Sequence, residues 1–371
     1  MSNFSFYLSP SRIKTFQSCS LKYYYNYELK IESESNDGNW RGDIVHRVLE
    51  CLARDDRRAR VERFIKEGRD SVWNDTTISR FIKMAGGTSK FYNEDNVKSI
   101  SHMIYAALAS DFYGEEKGFG KPIQSYTEFP FEIQTPTYQV KGFLDRVFVY
   151  ENGSAFIVDY KTSKDYFKGK DLEENLQDFI YKMAVSEKLS IAVEKISTQF
   201  LFLKFLQTSN FIVQTQPTSS FKINGIKNDL AFWQSFLEEF WGGDESSYLE
   251  NNAYDKGFLT DGSFGGILAC GKFFRTDRSG TPKTKADRLV DEVNDEVFIC
   301  PFRAPRTVYV EKKDGVVLRR HLEMPEKKNE IHTYEEEKFG GCLRMKKFDK
   351  EYLKKHDGVL TDRLKAIKTR Y

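Results

Sequence analysis

Two aspartates and a lysine carry the first chemical signal in the chain. Asp145 falls in Gly142-Phe143-Leu144-Asp145-Arg146, and Asp159 in Ala155-Phe156-Ile157-Val158-Asp159-Tyr160-Lys161. Both runs have the apolar and aromatic character of strands, and the second adds the β-branched Ile157 and Val158. Side chains alternate along a strand, so Asp159 and Lys161 point to one face. Carboxylates on neighbouring strands are the donors that a hard cation such as Mg²⁺ or Mn²⁺ takes, usually one or two together with a substrate phosphate. Such a cation acidifies water and neutralises phosphoryl charge, while an adjacent lysine positions the water and stabilises the developing negative charge. Phosphodiester hydrolysis is the reaction that suits this donor set. Taken singly, each fragment also reads as plain surface: Asp145 paired with Arg146, and Asp159 with Lys161 on a solvated strand edge.

The elements around these strands supply further groups. In Gly42-Asp43-Ile44-Val45-His46-Arg47-Val48-Leu49-Glu50, His46 and Glu50 are four apart on one face of a helix. His46 suits a metal ligand or a residue that orients the acids; a half-buried structural histidine is the plainer alternative. Downstream, Leu172 to Val185 reads as an amphipathic helix that sets Gln177 and Tyr181 on one face, where an amide and a phenol suit phosphate or base contacts. Glu128, in Tyr126-Thr127-Glu128-Phe129-Pro130-Phe131, is a third carboxylate, with Glu132 as a neighbouring competitor and a strand-edge role as the alternative.

The order Gly42 with His46, Glu128, Gly142 to Arg146, Asp159-Tyr160-Lys161-Thr162, then Gln177 with Tyr181 resembles the RecB-type branch of the PD-(D/E)XK nuclease superfamily, which includes RecB, AddB and CRISPR-associated exonuclease-like domains. The resemblance spans roughly Ser9 to Phe205. The opening Leu8-Ser9-Pro10 through Cys19-Ser20-Leu21-Lys22-Tyr23-Tyr24-Tyr25 is similar to that branch's first helix. It implies an α/β fold: an αβββαβ nuclease core whose mixed central sheet is flanked by helices, with a helical insertion and a C-terminal accessory region. It also implies roles. Asp145 and Asp159 would bind metal with His46; Lys161 would be the catalytic lysine, Glu128 would complete the shell, and Gln177, Tyr181 and Arg146 would meet DNA. The implied activity is Mg²⁺- or Mn²⁺-dependent DNA hydrolysis. An exonuclease acting on ends or single strands in replication, recombination or repair is favoured; a structure-selective or sequence-specific endonuclease and a non-catalytic DNA-binding scaffold subunit stay open.

Cysteine usage tests the resemblance. Some members hold a [4Fe–4S] cluster between one N-terminal and three closely spaced C-terminal cysteines. Here the five are Cys19, Cys51, Cys270, Cys300 and Cys342. Cys19 matches the first ligand, and Cys300-Pro301-Phe302-Arg303 has some likeness to the second group, yet no C-x-x-C occurs. The dispersal favours buried thiols in a reducing cytoplasm over an iron–sulfur or zinc site built from Cys19, Cys270, Cys300 and Cys342.

A length of 371 residues suits one large or two medium domains, and a net charge of +2 neither favours nor excludes nucleic acid. No apolar run nears the ~20 residues that span a bilayer, and Met1 to Tyr7 lacks signal-peptide character. A cytoplasmic location follows as the expectation, in the host cytoplasm if the gene is viral, with DNA as partner and no membrane. Gly118-Phe119-Gly120-Lys121-Pro122 has the wrong spacing and residues for a phosphate-binding loop, so a helicase, or another recombination or replication protein, is expected as a separate partner.

Four regions emerge: an N-terminal helix joining the core (1–40), a helical region carrying His46 (41–120), the nuclease core (121–245) and a C-terminal accessory region (246–371). Ser9 and Pro10 begin a helix to about Tyr27, followed by a polar loop from Glu32 to Trp40. Helical periodicity runs from Arg41 to Phe112 with a break at Gly86-Gly87. Within it, Arg54 to Arg60 and Lys90 to Tyr92 read as solvated helix faces, with a track along a phosphate backbone as the alternative. Strands are expected at Ile123–Ile133, Tyr138–Tyr150, Ala155–Lys161 and Ser197–Phe205, with turns at Thr135-Pro136-Thr137 and Glu151-Asn152-Gly153. Beyond them lie a helix from Ile226 to Trp241 with an aromatic stripe suited to a core, a loop at Arg278–Pro282, a hairpin around Asp314-Gly315, and a basic amphipathic segment from Lys346 to Tyr371.

Overall fold

The computed structural model describes residues 4–32, 37–163, 167, 175–206, 208, 211–250, 302, 305–325 and 328–343. Internal contacts divide the chain into two units, residues 1–10 with 35–235 and residues 11–34 with 236–371. Cys270, Cys300, the loop at Arg278–Pro282 and the basic segment from Lys346 lie outside the described residues.

Two short helices, α1 (Pro10–Ser18) and α2 (Ser20–Tyr23), come first in the chain. In the first unit, helical periodicity resolves into α3 (Asp37–Leu52), α4 (Arg58–Glu67), α5 (Arg69–Asn74), α6 (Thr76–Gly86) and α7 (Glu94–Leu108). Side-chain caps fix the starts. Asp75 accepts from Thr77 and Ile78 N–H at α6, and Asn93 accepts from Asn96 N–H at α7. The expected loop up to Trp40 is corrected: Asp37–Trp40 forms the first turn of α3, where Asp37 pairs with Arg41 at 2.7 Å.

The hairpin of β1 (Gln124–Gln134) and β2 (Gln139–Val149) turns at Thr135, whose N–H donates to Tyr138 O at 2.9 Å. β3 (Ala155–Lys161) follows an Asn152-Gly153 turn in which Gly153 has φ +74°. Then come α8 (Leu176–Leu189), β4 (Ile196–Phe202), β5 (Ile212–Thr215) and α9 (Ser220–Glu238). The sheet order is β1-β2-β3-β4-β5, antiparallel except for the parallel β3–β4 pair that α8 connects. β3 is buried from Ala155 to Tyr160, which explains its unbroken apolar run: a central strand covered on both faces has no polar side to show. On one face Phe148, Phe156, Val158, Tyr160 and Leu201 share a core with Ile44, Val48, Leu49, Ile100 and Ile104 of α3 and α7. Side chains of this kind each contribute ~1.5–3 kcal/mol when fully buried.

Three expectations shift. α8 begins at Leu176 rather than Leu172, because the Asn175 side chain caps it by accepting from Gln177 and Asp178 N–H. β4 stops at Phe202 and gives way to a 3₁₀ turn. α9 starts at Ser220, not Ile226, and among its aromatic residues Trp233 is buried while Phe232 is exposed.

In the second unit the first helix is not continuous to Tyr27. Cys19 takes extended backbone and caps α2, its Sγ accepting from Lys22 N–H, and Tyr24–Glu28 forms a π-helical turn. Phe16, Phe236, Phe240 and Tyr248 pack edge-on. After α10 (Glu245–Glu250), β6 (Arg306–Lys313), β7 (Val316–His321) and β8 (Thr333–Phe339) form a sheet ordered β7-β6-β8. Asp314 and Gly315, at φ +51° and +78°, make the hairpin turn that Asp-Gly sequences favour. Among the described residues, no helix is long and apolar enough to cross a membrane.

Candidate active site

The ladder between β2 and β3 ends at the pair Arg146 and Val158. One step further, the same register sets Asp145 across from Asp159, and like charges directly opposite destabilise a ladder. There the strands part. The Asp145 carboxylate takes over as acceptor, with Oδ2 receiving the Tyr160 N–H at 2.7 Å. Its other oxygen, Oδ1, lies 3.0 Å from His46 Nδ1 on α3. On the far side of β2, Thr127 pairs with Arg146 and Phe129 with Leu144, so Glu128 stands at Asp145's register position. Glu128 has φ +48°, a left-handed conformation that non-glycine residues rarely adopt and that strains the backbone. Its carboxylate, an Asp145 oxygen and a His46 nitrogen lie within 4.8 Å of one another, each side chain half-buried.

Asp159 forms the second half of the site. Its Oδ2 lies 2.8 Å from Lys161 Nζ, and its Oδ1 accepts from Tyr181 Oη at 3.1 Å and from Gln177 Nε2 at 3.2 Å. Gln177 Oε1 accepts from Lys161 at 2.9 Å, and Gln177 Nε2 donates to Tyr181 Oη at 2.6 Å. Gln177 and Tyr181 sit one turn apart on α8, as the sequence spacing requires. Both turn their polar groups onto Asp159, and Tyr181 is 8% exposed. Their visible role is to fix Asp159 and Lys161.

The electrostatics reflect this crowding of acids. Burial and the Asp145 charge raise the Glu128 carboxyl above its ordinary range, against the pull of His46. Burial also raises Asp159, with Lys161 opposing and Asp145 reinforcing the shift. Burial alone would lower His46, but its bond to Asp145 and the charges of Asp145, Asp159 and Glu128 outweigh that and push it up to about 9. Two carboxyls pushed above their ordinary range, beside an imidazole that holds its proton, mark a site crowded with acidic groups. One nitrogen and two oxygen donors within 4.8 Å of one another suit a small divalent cation.

One expected residue sits differently. Arg146, read from sequence as a DNA contact, alternates to the opposite face from Asp145 and is 1% exposed. Its guanidinium lies 4.8 Å from the Phe112 ring and 4.9 Å from the Phe148 ring and donates to Ser125 Oγ, so it braces the core under the site. Cys19 and Cys342 are both buried; of the expected iron–sulfur or zinc ligands, Cys270 and Cys300 lie outside the described residues. The basic run near Arg54 is met by acids: Arg54 pairs with Asp56, and Arg58 with Glu62 and Glu115. Sequence reading missed that Tyr160 contributes its backbone N–H to Asp145; the widening of the strands that creates this contact leaves no residue-type signal.

The family model of the PD-(D/E)XK nuclease superfamily matches residues 7–242, which carry His46, Glu128, Asp145, Asp159, Lys161, Gln177 and Tyr181. The chain belongs to the PD-(D/E)XK nuclease superfamily. Among curated proteins, this PD-(D/E)XK chain is 28% identical over 168 residues to one of the subunits of the ATP-dependent helicase/deoxyribonuclease of Streptococcus mutans, a match covering 43% of this chain and 14% of that protein. It thus spans about one seventh of its relative's length. Among solved structures it is similar to a candidate exonuclease from Eubacterium rectale, with 12% identity, a TM-score of 0.39, and coverage of 63% of this chain and 81% of that one.

Proposed function

We propose that this superfamily member is a divalent-metal-dependent deoxyribonuclease, an exonuclease that degrades DNA ends or single strands in replication, recombination or repair. The observation that carries the proposal is the convergence of His46, Glu128 and Asp145 within 4.8 Å, beside the Asp159 and Lys161 pair. His46, Glu128 and Asp145 would hold the ion, with Asp159 alongside; bound Mg²⁺ or Mn²⁺ would supply positive charge to the phosphoryl oxygens and acidify water.

The chain's own groups do the rest. Lys161, aimed by Asp159 and Gln177, holds the attacking water and donates to the phosphoryl oxygen as negative charge develops there. Tyr181 and Gln177 keep the Asp159 carboxylate from swinging, which preserves that aim. Water adds to phosphorus and loses a proton to solvent, the bond to the 3′ oxygen breaks and that oxygen takes up a proton to leave as a 3′ hydroxyl, and the other product carries a 5′ phosphate. A separate helicase, or another recombination or replication protein, is the partner we infer from the name of the relative, and the cytoplasm, of an infected host where the gene is viral, is the compartment.

The test is digestion of matched linear and covalently closed circular DNAs, single- and double-stranded, with Mg²⁺ or Mn²⁺ and with EDTA and Asp159→Ala as controls. Metal-dependent loss of linear DNA alone is expected. Cutting of circles would replace the exonuclease with an endonuclease, and binding without cleavage by the wild type would make the domain a scaffold.

A further inference from the structure

Gly42 lies inside α3, where glycine is a poorer helix former than alanine and no positive φ calls for it. Its missing side chain is explained by a neighbour: a Cβ at Gly42 would lie 2.8 Å from Thr162 Oγ1 and 3.9 Å from Thr162 Cβ. Real Cβ atoms do not approach a hydroxyl that closely, so α3 packs at this distance from the end of β3 because position 42 has no side chain. The contact lies between the two halves of the site. One turn after Gly42, on the same helical face, His46 reaches Asp145 at 3.0 Å. Immediately before Thr162, Lys161 binds Asp159 and Gln177. Thr162, Gly42 and His46 also line one cavity of about 530 Å³.

We propose that Gly42 and Thr162 form a spacing pair that sets how far α3 stands from β3 and thereby holds His46 at ligating distance beside Glu128 and Asp145. Both are positioning residues; neither is assigned a contact with the reacting atoms. The idea rests on the metal-site reading under Proposed function. A methyl group at position 42 pushes α3 away from Thr162 and draws His46 off Asp145. A displaced ligand or a disturbed ligand support weakens metal binding on the order of 10–100-fold.

The experiment compares Mn²⁺ affinity of the full, DNA-free chain, read by electron paramagnetic resonance of unbound Mn²⁺, with thermal melting and the KM for linear DNA. Gly42→Ala is expected to weaken Mn²⁺ at least about tenfold with little change in the KM for DNA. Thr162→Ile, which fills the same gap from the strand side, is expected to weaken Mn²⁺ similarly and carries the test should Gly42→Ala not fold. Combining Gly42→Ala with Thr162→Ala removes the atom that the new methyl meets and is expected to restore affinity to within about threefold of Thr162→Ala alone. Mn²⁺ affinity unchanged in both Gly42→Ala and Thr162→Ile, or a double variant as weak as Gly42→Ala, would overturn the spacing role while leaving the metal site in place. A wild type that neither binds Mn²⁺ nor cleaves DNA would instead overturn the metal-site reading, and the spacing role with it.

Discussion

Metal binding is expected to compete with a proton on His46. The imidazole is held at about 9 by its bond to Asp145 and the surrounding carboxylates, which outweigh the opposing effect of burial. A metal ligand must be the neutral imidazole. One pKa unit corresponds to about 1.4 kcal/mol, so displacing the proton at pH 7 costs about 2.7 kcal/mol, or roughly 100-fold in apparent affinity relative to pH above 9. Mn²⁺ affinity is therefore expected to rise about tenfold per pH unit between pH 6.5 and 8.5, with close to one proton released per ion at pH 7.5. Isothermal titration calorimetry in buffers of different ionisation heat measures both quantities, and His46→Asn is expected to flatten the dependence. For the metal-free fold the sign reverses. The raised pKa contributes stability that is fully present below about 6.5 and is lost as pH rises through about 9. A wild-type Mn²⁺ affinity that stays level across pH 6.5–8.5, with no proton release, would refute the reasoning.

Three further outcomes follow from the geometry. Glu128→Gly removes a carboxylate and relieves the left-handed φ of +48°; melting is expected to show a gain of about 1 kcal/mol, while DNA cleavage falls at least tenfold. Arg146→Ala is expected to destabilise the fold by about 3 kcal/mol, since it empties a buried site between two phenylalanine rings; the folded variant should keep the wild-type KM for DNA, and a raised KM would return Arg146 to the DNA surface. In the second unit, bonds from His332, His321 and Tyr334 hold Glu311 down at about 2. Its contribution to stability is present above the ordinary carboxylate pKa of 4.5 and fades as pH falls toward 2, so Glu311→Gln should lessen the acid sensitivity of unfolding followed by circular dichroism.

The groups that alternation or helical spacing governs were legible in the sequence. Asp145, Asp159 and Lys161 sit on strands, and Gln177 and Tyr181 on one helix face, because a period of 2 or 3.6 fixes them locally. The assembly of Glu128 with His46 and Asp145 was less legible, since it depends on a left-handed backbone at a residue type that seldom adopts one. Arg146 misled because a basic residue beside an active-site acid resembles a DNA contact, whereas alternation turns it into the aromatic core. β8 hid behind Glu335-Glu336-Glu337-Lys338, a run whose charges suggest loop but which pairs with β6 as an exposed edge strand. The break at Cys19 lacked a sequence signal because serine, not cysteine, is the usual cap.

The most direct measurement is the anomalous scattering of Mn²⁺ soaked into crystals of the wild-type chain. A peak at about 2.1 Å from a His46 nitrogen and from carboxylate oxygens of Glu128 and Asp145, absent in Asp145→Asn crystals, is the expected result. Cleavage-competent protein with no Mn²⁺ among these three residues would contradict the account.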